Sequence, residues 1–173
     1  APALGEERTV ICLGEEGDWR EAGTLETAAA MVLDHRRDVR FASCGSAAPA
    51  AGESPRMEFA QIVSPRAWAE AFRKADVVVG CYPDGASAFA PLEAMACGMP
   101  VVTTRYVAED YAEEGTDALL VEAGDHDAVA RRILALLDDT DLARDLGRSG
   151  SRRACGFTWG ASADAVESLL RAS

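Results

Sequence analysis

Residues 75–104 read ADVVVGCYPDGASAFAPLEAMACGMPVVTT, and the order of residue types in this stretch decides the fold. Val77, Val78 and Val79 form a continuous β-branched apolar run, the mark of a strand covered on both faces. A loop of small residues follows. The next apolar stretch has Pro91 near its start and Gly98 just past its end, the arrangement of a short helix. MPVVTT then reads as a second buried strand. Strand, helix and strand in such short order make a βαβ unit, whose two strands run parallel.

The same alternation extends on both sides. Upstream, RTVICLG reads as a buried strand, a charged loop follows it, and from Thr24 the residues Leu25, Ala28, Ala29, Val32 and Leu33 recur at helical spacing. DVRFASCG and MEFAQIV read as strands separated by a long loop rich in Ala, Gly and Pro. PRAWAEAFRKA reads as a helix with Pro65 in its first turn and Trp68, Ala71, Phe72 and Ala75 on one face. Downstream, DALLVEAG reads as a strand, and Asp125 caps a helix that turns Val129, Ile133, Leu136 and Leu137 inward. Two more helical stretches close the chain, the last following FTW, and Trp68 and Trp159 are expected in the core. The predicted class is α/β: a doubly wound parallel sheet covered by helices on both faces, forming a single domain over residues 1–173. In this architecture ligands bind beyond the carboxyl ends of the strands.

Composition narrows the function. The 173 residues carry a net charge of -12, with 29 acidic residues against 17 Lys and Arg, so an extended polyanion such as a nucleic acid or an acidic membrane surface is a poor partner. A small anion still binds where backbone N–H groups converge at a helix start, whatever the net charge. The five cysteines are odd in number and lack any C-x-x-C spacing, so they read as small apolar residues of a reducing compartment. With two histidines and no Cys or His near either at ligand spacing, no metal is expected. There is no apolar run of about 18 residues, and the N-terminal APALGEERTV lacks the basic start and apolar block of a signal peptide. A cytoplasmic protein without a membrane span is expected. The missing initiator Met suggests a piece of a longer chain.

The stretch just after the best strand carries the chemistry. Pro91 places the helix start near Ala88 to Ala90, preceded by the small residues Gly85, Ala86, Ser87 and Ala88. Free N–H groups with little side-chain obstruction, together with the helix dipole, suit a phosphate or diphosphate. Glu93 is expected in the first helical turn, and two readings of it are open. Its carboxylate can accept two O–H bonds from vicinal hydroxyls of a sugar. Equally, an acid in a first turn is favoured by the dipole and by capping of the backbone.

Residues 75–104 also resemble the donor-binding segment of retaining glycosyltransferases of the GT-B fold, whose pattern is a strand followed by E-G-F-G-x-x-x-x-E-A-M-A-C-G-x-P-V-V. YAEEGTDALLVEAGD, FTW, FASCGS and MEFAQIVSPRAWAEAFRKADVVV are similar to further segments of that family in the same order, so the resemblance spans nearly the whole chain. It implies the Rossmann-like C-terminal half of a GT-B enzyme. That half binds a nucleotide-diphosphate sugar, with an acceptor domain N-terminal to it. By that match Glu93 holds the ribose hydroxyls, the backbone of Ala88, Phe89 and Ala90 with Ser87 holds the diphosphate and sugar, and the base lies near Ile62 and Val63. The substrate is a nucleotide sugar, no cofactor or metal is implied, and no residue is assigned as catalytic.

Three departures from the pattern bear on activity. Gly85 stands where the family has a second carboxylate. Asp84 beside it either substitutes or serves as a turn former before Gly. The family's two cations near the diphosphate are replaced by Leu13 or Gly14 and by Ala22, leaving Arg20 as the nearby basic residue, either a donor contact or a solvated loop charge. SAFAPLE is similar to the loop of rhamnose-adding enzymes of the same fold, which leaves the donor open. The alternatives are a degenerate nucleotide-binding or interaction module and, less favoured, an epimerase of the same fold acting on a nucleotide sugar.

Overall fold

The structure is a computed structural model that describes residues 7–14, 23–45, 56–61, 64–82 and 89–172. Six parallel strands form one sheet: β1 (Arg8–Gly14), β2 (Val39–Gly45), β3 (Met57–Gln61), β4 (Val77–Gly80), β5 (Val101–Thr104) and β6 (Leu119–Val121). Their spatial order is β3-β2-β1-β4-β5-β6, the doubly wound order that reverses direction between β1 and β4. Seven helices are described: α1 (Gly23–His35), α2 (Pro65–Phe72), α3 (Phe89–Ala96), α4 (Arg105–Ala108), α5 (His126–Asp138), α6 (Thr140–Ala154) and α7 (Trp159–Ala172).

The period-2 alternation of the strands sorts their side chains into two cores. Val10 and Cys12 of β1, Val77 and Val79 of β4 and Val102 of β5 face one layer, where α1 supplies Ala28, Ala29 and Val32 and α5 supplies Val129, Ile133 and Leu136. Ile11, Leu13, Val78 and Val101 face the opposite layer, with Phe72 of α2 and Ala94 and Met95 of α3. This double covering is why the strands read as unbroken apolar runs. The inward residues expected of α1 and α5 are all buried, and Ala130 of α5 joins them. The expected cap of α5 forms, with Asp125 accepting from the Ala128 N–H at 2.8 Å, and Ser64, which was not expected to cap, accepts from the Ala67 N–H at 3.3 Å at the start of α2.

Three expectations are corrected. Trp159 is 92% exposed, at the start of a helix whose described side chains all face solvent, whereas Trp68 packs partly buried on the α2–α3 layer against Phe72. Residues 117–124 contribute a strand of only Leu119–Val121, because the chain before it is a turn in which the Asp117 N–H donates to the Glu113 carbonyl. Cys155 is exposed, although Cys12 is buried and Cys81 and Cys97 are partly so. The short helix α4, directly after β5, had no expected counterpart.

Candidate functional site

The carboxyl ends of β1 and β4, where the strand order reverses, face the start of α3. Gly80 ends β4, and its lack of a side chain lets α3 seat directly on the strand. A Cβ there would stand 3.0 Å from Cγ of Pro91, 3.0 Å from Cε2 of Tyr82 and 3.4 Å from Cδ1 of Leu13. Pro91 is buried in the first turn of α3, as its position in the sequence implies.

β5 holds the end of β4 by side chains as well as by the strand ladder. Ladder pairing runs to Gly80 and Thr103. Beyond it, the Thr103 hydroxyl donates to the Gly80 carbonyl at 2.7 Å. The Thr104 hydroxyl accepts from the Tyr82 N–H at 3.2 Å and donates to the Tyr82 carbonyl at 3.1 Å. Both threonines and Tyr82 are buried, so these bonds satisfy backbone groups that leave the sheet with no water to pair with. Sequence reasoning saw in VVTT only a strand and missed the two hydroxyls. The available signal was the change from Val-Val to Thr-Thr at the strand's carboxyl end.

At its other end α3 closes in a Schellman turn. Gly98 takes φ +79, its N–H donates to the Met95 carbonyl at 2.8 Å, and the Met99 N–H donates to the Ala94 carbonyl at 3.1 Å. The helix is thus fixed at both ends.

Of the residues expected in the site, the structure describes Phe89, Ala90 and Glu93. Arg20, Ile62, Val63, Asp84, Gly85, Ser87 and Ala88 lie outside the described residues. Phe89 is the first residue of α3 and is 64% exposed, and Ala90 is half-buried against the layer beneath. Glu93 is exposed, with no side-chain hydrogen bond or ion pair among the described residues. It is the fifth residue of the helix and lies in the second turn, not the first. A capping side chain reaches back from the third helical position, and the dipole acts within the first turn, so the capping reading of Glu93 loses its geometric basis.

Nearby thiols are not poised for nucleophilic work. Burial pushes the Cys81 thiol up to about 12, so it stays protonated at neutral pH. Cys97, one helical turn after Glu93, is also raised, by burial first, with Arg73 pulling down and Glu93 pushing up. No group of three or more His, Cys, Asp or Glu among the described residues is placed to hold a metal ion. No helix among them is long and apolar enough to cross a membrane.

Comparison with known proteins agrees with this architecture. The D-inositol 3-phosphate glycosyltransferase of Corynebacterium diphtheriae is 29% identical over 178 aligned residues, covering 94% of this chain and 42% of that protein. The protein of the same name from Salinispora arenicola is 30% identical, covering 91% of this chain and 32% of that one. The chain therefore spans less than half the length of these curated relatives. The structure of HepE from Anabaena in complex with UDP and glucose superimposes with a TM-score of 0.79 at 17% identity, over 97% of this chain and 49% of that chain. The family described as glycosyl transferases group 1 matches residues 7–139, well over half of the sequence. The chain belongs to the glycosyl transferases group 1 family, with the Rossmann-like α/β architecture of GT-B enzymes.

Proposed function

We propose that this chain is the donor-binding domain of a retaining glycosyltransferase that moves a hexosyl or deoxyhexosyl group from a nucleotide-diphosphate sugar to an acceptor. The observation that carries the reading is Glu93: an exposed carboxylate, with no described side-chain partner, on a helix seated at the reversal point of the sheet. The unpaired N–H groups of a helix start suit a diphosphate. Just over one helical turn, about 6 Å of rise, separates Phe89 from Glu93, which matches a carboxylate set back from the phosphate to receive the ribose hydroxyls.

In this reading the residues of the chain supply positioning and electrostatics. Backbone N–H groups around Ser87, Ala88, Phe89 and Ala90, with Arg20, stabilise the charge that develops on the leaving diphosphate. Ile62 and Val63 bound the base, Asp84 and Gly85 lie toward the sugar, and no metal takes part. The acceptor domain precedes residue 1, and the whole protein works in the cytoplasm. Without that domain the chain binds donor weakly and transfers nothing.

Calorimetric titration with UDP, ADP, GDP and their glucose or mannose esters tests the assignment. One nucleotide binds, and Glu93→Ala weakens it about tenfold, as expected for loss of a charge-assisted pair of hydrogen bonds. Gly85, standing where the family pattern has a carboxylate, favours a second reading: a fold kept for interaction after the reaction was lost. Binding to none of the nucleotides would select that reading.

A further inference from the structure

Thr104 is buried in β5 at a position where Val would fill the same space, as it does at Val101 and Val102. A buried hydroxyl is costly unless it is bonded, so its partners explain its presence. Both partners belong to one residue, Tyr82, whose N–H and carbonyl it engages at 3.2 and 3.1 Å. Tyr82 is the second residue after the end of β4, where ladder pairing has stopped. The hydroxyl therefore takes over the paired bonds that a neighbouring strand would have made.

The consequence reaches α3. The ring of Tyr82 and the ring of Pro91 both lie against Gly80, and the Gly80 carbonyl is held by Thr103 at 2.7 Å. Pro91 is in the first turn of α3, two residues before Glu93. Seating of that turn thus depends on where residues 80–82 are held.

We propose that Thr104, assisted by Thr103, is a positioning residue for the donor site: it sets the height and direction of the α3 start through Tyr82 and Gly80, without touching the ligand. The inference rests on the donor-binding reading above. A buried threonine in a strand could also serve stability alone, and the two roles separate in amide exchange. A positioning role predicts faster exchange at Tyr82 and in α3, with β1, β2 and α5 unchanged. A purely structural role predicts faster exchange throughout.

The test uses the 173-residue chain in three forms: wild type, Thr104→Val and Thr104→Ser. Thr104→Val keeps the shape and removes both bonds, and Thr104→Ser keeps the hydroxyl. Each is titrated with UDP, ADP and GDP and followed by hydrogen exchange. Thr104→Val is expected to weaken the nucleotide that the wild type binds by about tenfold, while Thr104→Ser stays within about twofold. Exchange is expected to speed up at Tyr82 and in α3 only. Equal affinity of Thr104→Val and wild type overturns the proposal and leaves the donor site standing, as does exchange accelerated evenly over the core strands. A wild type that binds none of the three nucleotides removes the donor site, and the positioning role falls with it.

Discussion

Arg36 ties three elements together at the end of the sheet opposite the site. Its Nε donates to Oδ1 of Asp38 at 2.9 Å, its second amino group reaches Oδ2 at 2.7 Å, and it also pairs with Asp138 at the end of α5. The Arg36 hydrogen bond, together with the nearby positive charges, lowers the Asp38 carboxyl to about 2. A carboxylate held below its ordinary value adds stability above that value and loses it as the pH falls through about 2. The pair is partly open to solvent, so the gain stays below about 1 kcal/mol. Asp38→Asn is expected to be less stable than wild type by up to that amount near about pH 6, with the gap closing toward about pH 2. Urea midpoints of both proteins across that range provide the check. A gap that stays constant with pH would assign the loss to packing. None of this was legible in the sequence, because Arg36 and Asp138 are 102 positions apart and neither residue stands in a recognisable pattern. Glu93 was legible as a functional candidate for the opposite reason, since an acid in an apolar run at a helix start is itself a local signal. Its turn was misplaced by the few residues that separate a proline tolerated anywhere in the first turn from a helix that begins at Phe89.

At the level of elements, the end of α3 and the turn before β6 explain why α6 carries glycines at positions 147 and 150. A Cβ on Gly147 would lie 2.3 Å from the Gly98 carbonyl oxygen, and one on Gly150 would lie 2.8 Å from the carbonyl of Asp117. α6 therefore approaches the Schellman turn of α3 and the turn before β6 backbone to backbone. The Ser149 hydroxyl adds a bond of 2.8 Å to the buried Asp117 carboxylate on the same side. Gly147→Ala gains helix propensity but must push the two elements apart, and the clash is with backbone that cannot rotate away. The expected net loss is about 1–3 kcal/mol, read as a lower urea midpoint at unchanged slope. Gly23→Ala, which meets nothing within 4 Å, serves as the control and should cost far less. The strands and the long helices were legible because each face of a buried strand or stripe leaves a period in the sequence, as at Val77–Val79 or in the Val129, Ile133, Leu136 series. The glycines of α6 read only as weak helix formers. Their role depends on a partner about fifty residues away, and periodicity does not name partners.

For the molecule as a whole, α7 is the element that its own chain does not explain. Thr158 caps its start by accepting from the Ala161 N–H at 3.1 Å, and Trp159, Val166, Leu169 and Leu170 recur at helical spacing. That is the pattern of an amphipathic helix. Periodicity reports that a surface will be covered, not which part of a protein covers it. Here Leu169 is 70% and Leu170 73% exposed, and a helix of this length is marginal in water without cover. The relatives extend well beyond the region matched, with 42% of one and 32% of the other aligned. The reading proposed above adds an acceptor domain, and from it we predict that this domain covers the apolar stripe of α7. Deleting residues 159–173 from this chain should then change its stability by less than about 0.5 kcal/mol, since no core contact is lost. Leu146→Ala, which opens a cavity under α6, should cost about 2–5 kcal/mol in the same assay. In the two-domain protein, Leu170→Asp should lower transfer while leaving nucleotide affinity unchanged, because it disturbs the interface between the two domains and not the donor site. Loss of the sheet on deleting α7 would place its apolar face within this chain instead, and unchanged transfer in Leu170→Asp would remove it from the interface.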